Sequence, residues 1–259
     1  MLSQTKRKPF EIRFDRVVLA YKAVRANKGS HGVDGVSLEA YEVNIQDNLY
    51  KLWNRVSSGS YFPQPVRLVE IDKKSGSKRP LGIPAVEDRI AQAVVKREME
   101  IMLEPVFHED SYGYRPNRSA EDAVGKARER CWGYDWVLDI DIKSFFEDIP
   151  HELLMKAVKK HTDCKWHLLY IERWLKAPVL QSDGMLKEKV RGTPQGSVIS
   201  PLLANLFLHY CFDEWMKRNI PDCPFERYAD DCVIHCKTEK QALWVKQKLS
   251  ERPRQCELT

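Results

Sequence analysis

The chain has 259 residues, and 42 Lys and Arg against 37 Asp and Glu give a formal net charge of +5. This length suits one large domain or two subdomains that share a core. Hydrophobic residues make up 43% of the sequence, and no apolar run approaches the roughly 18 residues that a membrane span needs. The composition excludes a membrane-embedded protein, and the mild positive charge does not by itself predict nucleic-acid binding.

Seven cysteines are spread along the chain without a Cys-x-x-Cys pair. An odd number of cysteines without paired spacing is typical of reduced thiols in an intracellular protein. The first residues, MLSQTKRKPFEIRF, contain no apolar core of the length that a signal peptide needs. We therefore expect the protein to stay in the cytoplasm, where it is made.

The first half of the chain predicts helices, a glycine-rich loop and a hairpin. Apolar residues recur with a helical period over 11–26, and a second helical stretch covers 38–58 after the loop NKGSHGVDGVS. VRLVEID alternates in polarity and predicts a strand, which the turn KKSGSK joins to the extended segment RPLGIP. Further helices are predicted over 86–104, ended by Pro105, and over about 119–130.

The second half predicts shorter helices and two acidic strands. WVLDIDI at 136–142 is a strand by composition and alternation, and PFERYADDCVIHC predicts a hairpin. Thr238 and Gln241 predict the capped start of a last helix over about 239–250. The remaining elements are a helix after Pro150, a helix over 164–177, a hairpin over 179–190 and a long helix from Pro201. This irregular order predicts an α+β fold.

Carboxylates are concentrated on both acidic strands. Asp139 and Asp141 share one face, because side chains alternate along a strand. Asp230 and Asp231 cannot share a face on a regular strand, but both can point outward at the tip of a hairpin turn. If the two segments pair, up to four carboxylates meet and repel each other unless a cation lies among them. Ligation by carboxylate oxygens alone suits Mg²⁺ or Mn²⁺. The alternative to a metal site is that Asp230 and Asp231 simply form a surface turn, because Asp is common in turns.

Four motifs stand in order around these residues: RPLGIPAVEDRIAQ, SYGYRPNRSA, DIKSFFEDIPHELL, and RGTPQGSVISPLLANLFL followed by RYADD. Together they resemble the reverse transcriptases of group II introns, the intron-encoded reverse transcriptase and maturase family, from about residue 27 onward. The resemblance implies a right-hand polymerase whose antiparallel palm sheet packs on helices. It implies an N-terminal helix and template-side extension loop over 1–36, fingers over 37–125, and a palm over 126–259 that ends before the thumb.

The resemblance also implies roles for the acidic residues. Asp141, Asp230 and Asp231 match the family's catalytic carboxylates. Asp141 and Asp230 are expected to hold two Mg²⁺ ions, with Mn²⁺ as a substitute, and Asp231 is expected to support the metal site. Phe146 is expected to exclude the ribose 2′-hydroxyl by its bulk, with an ordinary core phenylalanine as the alternative.

Basic and amide residues are expected to contact the nucleotide. Lys73 and Arg79 resemble the fingers residues that grip the incoming triphosphate, and Arg suits phosphate because its planar fork donates two hydrogen bonds. Lys74 or Lys78 are alternatives to Lys73. Gln195, in the loop TPQG, is expected to lie against the nucleotide and template.

Two further sets of residues are expected near the template or substrate. Arg115 and Arg118 are expected to meet template phosphates, with helix capping or structural salt bridges as the alternative. Gly192 and Gly196 are expected to let the backbone approach the substrate closely.

The implied function is the RNA-directed DNA polymerase of a group II intron, which joins a dNTP to a primer 3′-hydroxyl by two-metal catalysis and also binds intron RNA as a maturase. The expected partners are intron RNA, an RNA template, a DNA primer or target and dNTPs, without a membrane; a homodimer is the alternative to a monomer. A non-polymerising RNA-binding splicing cofactor is the second hypothesis. A retron or diversity-generating reverse transcriptase is the third.

Overall fold

The computed structural model describes residues 8–72, 76, 78–142 and 144–258. Lys73 and Lys74, which are expected near the triphosphate, lie outside the described residues. The chain forms two compact units. The first comprises the described residues of Met1–Met99, Thr162–Val190 and Pro194–Ile199, and the second those of Glu100–His161, Arg191–Thr193 and Ser200–Thr259. These units are defined by compactness alone, and the functional boundaries of fingers and palm stay a prediction.

Helices and strands alternate irregularly, as the predicted α+β class requires. The chain begins with α1 (Phe14–Asn27), α2 (Leu38–Glu42), α3 (Ile45–Ser58), β1 (Val66–Asp72), β2 (Lys78–Ile83), α4 (Val86–Leu103) and α5 (Ala120–Cys131). It continues with β3 (Trp136–Asp141), α6 (Phe145–Asp148), α7 (His151–Lys159), α8 (Lys165–Lys176), β4 (Val179–Leu180) and β5 (Leu186–Lys187). The last elements are α9 (Ser200–Leu208), a π-helical segment (His209–Asp213), α10 (Glu214–Asn219), β6 (Phe225–Tyr228), β7 (Asp231–Cys236) and α11 (Glu239–Gln255).

The first unit contains a four-stranded sheet in the order β2-β1-β4-β5. The β1–β2 hairpin and the β4–β5 hairpin are both antiparallel, as predicted, and β1 joins them by a short parallel pairing with β4. The unit's core includes an aromatic cluster in which Tyr170 packs edge-on against Tyr61, with ring centroids 5.6 Å apart. Trp174, one helical turn after Tyr170 on α8, joins the same cluster.

The second unit contains an antiparallel sheet in the order β3-β7-β6, and α11 packs against β3 and β7. Ile234 on β7 and Val245 on α11 are fully buried in this core. On β3, Asp139 and Asp141 are exposed while Leu138 is half-buried. The predicted alternation of faces on β3 is therefore confirmed.

Two predicted helices are interrupted. The helix predicted over 38–58 is broken at Asn44, which leaves the helical region with a φ of −122° and a ψ of 44°. The long helix predicted from Pro201 changes to a π-helical turn at His209–Asp213 before α10 begins. A π-helical turn changes which side chains face the neighbouring elements, and such turns recur at functional sites.

The prediction of reduced thiols is wrong for two of the seven cysteines. Cys211, in the π-helical segment, forms a disulfide with Cys256, with their Cα atoms 6.1 Å apart. Helix α11 continues to Gln255, beyond its predicted end near 250, and so carries Cys256 to the π-helical segment. This Cα separation lies in the range of about 4.4–6.8 Å that a disulfide bridges.

Candidate active site

The acidic residues lie at one end of the sheet in the second unit. Asp141, the last residue of β3, is directly opposite Asp231, the first residue of β7, which in turn is opposite Tyr228 on β6. Cα atoms of directly opposite residues in an antiparallel pair are about 4.5–5.5 Å apart. Asp230 forms the two-residue turn between β6 and β7 together with Ala229. The structure thus brings the predicted carboxylates of two distant motifs to the same sheet end.

The neighbouring carboxylates disfavour the ionisation of Asp231. The pKa of Asp231 is raised, first by burial of its carboxyl group and then by the negative charges of Asp230, Asp141 and Asp139. A divalent cation among the carboxylates would reverse this effect, because a nearby opposite charge favours the ionised form. Carboxylate oxygens are also the ligands that Mg²⁺ and Mn²⁺ prefer, so the donor set fits these ions.

Within the part of the chain that the structure describes, no three acidic, imidazole or thiol side chains are gathered into a complete metal-ligand set. The backbone register places Asp141, Asp230 and Asp231 next to each other, but side-chain rotation would have to complete the set. Their roles as metal ligands therefore stay predictions.

The SYGYRP motif packs behind the acidic hairpin. The backbone of the motif and of the residue before it hydrogen-bonds to Arg227 on β6. Arg227 N donates to Asp110 O at 2.9 Å, and Tyr112 N donates to Arg227 O at 2.8 Å. Gly113 lies so close to the turn that a Cβ atom there would be 2.4 Å from Ala229 N. The motif is thus the structural support of the turn that carries Asp230.

Arg115 is engaged within the second unit. Its side chain is 4% exposed and its Nη2 donates to Glu104 Oε1 at 2.7 Å. Its Nη1 donates to the carbonyl oxygens of His108 and Ser111, each at 2.7 Å. These contacts correspond to the structural salt bridge that the sequence left open as the alternative to template binding.

Arg118 is half-buried in the same loop. Its Nη1 donates to Glu109 O at 2.7 Å, and its guanidinium carbon lies 5.4 Å from the ring centroid of Tyr112. Its contact with template phosphates stays a prediction.

Phe146 is 6% exposed on α6, a short helix that the sequence did not predict. Its ring packs edge-on against Tyr114 and Phe145, at centroid distances of 6.3 and 5.7 Å. Its carbonyl accepts a hydrogen bond from Thr193 N at 2.6 Å. The structure therefore fixes this phenylalanine firmly, and its discrimination against ribose stays a prediction.

Two predicted nucleotide-binding residues meet in the first unit. Arg79, exposed on β2, donates from Nε to Gln195 Oε1 at 2.7 Å. The backbone of Gln195 is also held, because its carbonyl accepts from Gly82 N at 2.6 Å. The hydrogen bond between these two side chains could not be predicted from the sequence, which places them 116 residues apart.

The close approach expected of Gly192 and Gly196 is made by the protein's own backbone. A Cβ atom on Gly192 would lie 2.4 Å from Glu147 O, in the second unit. A Cβ atom on Gly196, whose φ is 106°, would lie 2.6 Å from Gly82 O, in the first unit. Both positions require glycine because the chain packs too closely there for a side chain. This packing accounts for the two glycines of the loop without a contact to substrate.

Three polar residues of α4 that the sequence did not single out hold loops of the first unit in place. Asp88 accepts from Gln64 N at 3.1 Å, and Arg89 donates to Ser30 O, in the loop NKGSHGVDGVS, at 2.8 Å. Gln92 accepts a backbone hydrogen bond at 2.9 Å from the segment that follows TPQG. All three are buried in the first half of α4, next to the buried apolar residues Ile90, Val94 and Val95. Polar residues interspersed among apolar residues of one predicted helix could have indicated these buried contacts from the sequence.

No helix in the described ranges of the chain is both long and apolar enough to cross a membrane.

A family model described as reverse transcriptase (RNA-dependent DNA polymerase) matches residues 71–259. Curated relatives include protein YkfC of Escherichia coli strain K12, 37% identical over 209 residues. They also include the group II intron-encoded protein LtrA of Lactococcus lactis subsp. cremoris, 36% identical over 200 residues. Each alignment covers 76% of this chain, but the chain spans only 53% of YkfC and 33% of LtrA.

Solved structures resemble the chain at lower identity. One is a telomerase from Candida albicans in complex with a TWJ fragment of telomeric RNA, with a TM-score of 0.55 at 14% identity. That alignment covers 80% of this chain and 44% of the telomerase chain. Another is a partial Cas6-RT-Cas1–Cas2 complex, with a TM-score of 0.53 at 24% identity. That alignment covers 92% of this chain and 40% of the matched chain. At these identities the likeness concerns the fold.

Proposed function

Because the chain belongs to the reverse transcriptase (RNA-dependent DNA polymerase) family, with the match covering residues 71–259, we propose that it is the polymerase part of a group II intron-encoded protein. The resemblance to that family is confirmed by relatives such as LtrA, and the polymerase fold by the family match and the solved structures. The intron-encoded relatives also favour this type over a retron or diversity-generating type. The proposed reaction joins a dNTP to the 3′-hydroxyl of a primer on an RNA template.

The proposal is carried by one observation: Asp141 is paired with Asp231 across the sheet, next to the turn residue Asp230. We propose that Asp141 and Asp230 hold two Mg²⁺ ions, with Mn²⁺ as a substitute, and that Asp231 supports them. Bound metal ions of this kind stabilise the attacking and leaving oxygens of a phosphoryl displacement. The sheet contributes by holding Asp141 and Asp231 on paired strands and Asp230 in the two-residue turn that joins β6 to β7.

Other residues are proposed to contact the nucleotide. Arg79 would donate its exposed guanidinium to phosphate oxygens, and Gln195, its hydrogen-bond partner, would contact the base and template. Lys73 is proposed to share the phosphate contact. Phe146, held by its packing and by the hydrogen bond to its carbonyl, would exclude a ribose 2′-hydroxyl by bulk.

Template phosphates are the proposed contacts of Arg118 and Arg115. Arg115 would have to exchange hydrogen bonds to Glu104 for such a contact, which favours Arg118 as the stronger of the two. The proposal also includes a DNA primer or target and intron RNA as ligands, a cytoplasmic location and, as the alternative to a monomer, a homodimer.

Primer extension on an RNA template with Mg²⁺ tests the proposal. We expect Asp230→Ala to lower kcat by about 10³-fold or more, because lost metal stabilisation is worth several kcal/mol and each 1.36 kcal/mol is tenfold. Asp222→Ala is the matched control, since Asp222 is an exposed aspartate in the turn before β6. No incorporation by a version of the protein that includes the thumb, or full activity of its Asp230 variant, would contradict the proposal.

A further inference from the structure

Arg227 is buried directly before the acidic turn, and its side chain is 1% exposed. Nε and Nη2 donate to the two carboxylate oxygens of Asp213, both at 2.7 Å. Nη2 also donates to Ser111 Oγ at 2.8 Å, and Nη1 donates to Asn205 Oδ1 at 3.1 Å. The fifth hydrogen bond runs from Nη1 to Ala229 O at 2.9 Å. A guanidinium has five N–H groups, so every donor of this side chain is used.

The carbonyl of Ala229 is the part of this network that bears on the site. Ala229 has a φ of 60°, in the left-handed region that non-glycine residues adopt only when surrounding contacts hold them there. Its C=O group and the N–H of Asp230 belong to one planar peptide unit. A hydrogen bond to that carbonyl therefore fixes the orientation of the peptide that leads into Asp230.

The groups around Arg227 are themselves fixed. Asp213 ends the π-helical segment with 0% side-chain exposure. Asn205, on α9, also donates from Nδ2 to Gly113 O at 2.6 Å, and Gly113 is the residue that packs against the turn. The guanidinium thus connects the turn to α9, to the π-helical segment and to the SYGYRP motif.

We propose that Arg227 is a positioning residue, whose guanidinium sets the direction in which the turn presents the Asp230 carboxylate. This inference rests on the proposed function, because it assigns the consequence of that direction to the polymerase reaction. The planar fork is what the site requires: it reaches two oxygens of Asp213 and the turn carbonyl at once, whereas a lysine ammonium is a single point charge on a flexible stem. The π-helical segment contributes to the same hydrogen-bond network, because it places Asp213 against the guanidinium of Arg227.

Steady-state primer extension with Arg227→Lys tests the positioning. We expect kcat to fall by about 100-fold with little change in KM for the dNTP, because a displacement of about 1 Å at a reacting group costs about 10²-fold. Arg130→Lys is the matched control, since Arg130 is likewise an arginine paired with carboxylates in the same unit, with Asp110 at 2.8 Å and Glu226 at 2.5 Å. Equal values of kcat in the two variants at equal thermal stability would overturn the inference.

Amide hydrogen exchange provides a readout that does not depend on activity. We expect Arg227→Lys to speed exchange at residues 229–231 by about tenfold relative to Arg130→Lys, because the turn opens locally without its clamp. If Arg227→Lys does not fold, Ser111→Ala, which removes one acceptor, is expected to shift exchange in the same direction by less. A thumb-containing wild type without polymerase activity would refute the proposed function only, whereas unchanged exchange at the turn would refute the positioning role of Arg227.

Discussion

The carboxyl group of Asp88 makes the stability of the first unit depend on pH. Asp88 is 2% exposed on α4, and burial raises the pKa of its carboxyl group to about 7, against opposing hydrogen bonds from the Tyr61 hydroxyl and Gln64 N. The pKa in the folded state lies above the ordinary value of 3.8, so the folded protein binds this proton more tightly than the unfolded chain does. The resulting stabilisation is complete below about pH 4 and is lost as the pH rises through 7.

Substitution of Asp88 by asparagine should remove this pH dependence. Asparagine keeps the size and an acceptor oxygen but does not titrate in this range. Between pH 5 and pH 8 we expect the free energy of unfolding of the wild type to fall by roughly 2–3 kcal/mol more than that of Asp88→Asn. Urea unfolding of both proteins at the two pH values measures the difference, and parallel behaviour of the two would show that Asp88 titrates normally.

At the level of single residues, the sequence identified the carboxylates but not the groups that hold them. Asp141, Asp230 and Asp231 stand out because charged residues on β-forming segments are unusual, and the motifs then supplied their match to a family. Arg227 gave no such signal, since an arginine before a turn is ordinarily a solvated residue. Its burial depends on Asp213, whose inward orientation arises from a π-helical turn that the sequence did not reveal.

The acidic hairpin and the SYGYRP segment act as one packed element, and two glycines test this. Gly113→Ala places a Cβ atom 2.4 Å from Ala229 N, whereas a Cβ atom on Gly125, in α5, would meet nothing within 4 Å. We expect Gly113→Ala to lower the free energy of unfolding by about 1–3 kcal/mol through overpacking. Gly125→Ala should raise it by about 0.5–1 kcal/mol, because alanine is the better helix former.

Urea denaturation of the two glycine variants measures these opposite effects. Primer extension should separate them further, because only Gly113→Ala displaces the turn that carries Asp230. A Gly113 variant as stable and as active as the Gly125 variant would mean that the turn can move away at no cost.

Elements with a strong local signal were predicted well. The cap of the last helix is one example: Gln241 N donates to Thr238 Oγ1 at 3.2 Å, as the spacing of the two residues indicates. The single helix predicted from Pro201 was wrong at its centre, because α9 is buried on all sides and its apolar pattern has no polar face that would reveal a shift in phase. The pairing of β3 with β7 came from the family resemblance, since periodicity cannot report which strands are neighbours.

At the scale of the whole molecule, the chain carries a net charge of +5, and its proposed ligands are polyanions. Binding to structured intron RNA should therefore be dominated by phosphate contacts and weaken as counterions compete. With about six such contacts, we expect affinity to fall by about 10³-fold between 50 and 200 mM salt. Titration of labelled intron RNA with the chain at several salt concentrations measures the slope.

The same titration, repeated with an active-site variant, separates intron RNA binding from catalysis. Asp141→Ala should bind intron RNA as the wild type does, because removing a carboxylate deletes no cationic contact with phosphate. Affinity that is independent of salt would contradict phosphate-dominated recognition. Loss of RNA binding in the Asp141 variant would mean that the catalytic centre and the RNA surface are the same.

The pairing of Asp141 with Asp231 across the sheet also limits where the genes of related proteins can gain or lose codons. One codon inserted or deleted within β3 would turn every later side chain of that strand, Asp141 included, to the opposite side of the sheet. The same change within β7 would turn the side chains that follow Asp231 and move the buried Ile234 out of the core. The exposed turn at 182–184, between β4 and β5, also lies between the two strands in sequence, but it holds no residue of the candidate site and carries no such restriction. Length variation among related genes should therefore accumulate at that turn and be absent inside the two acidic strands.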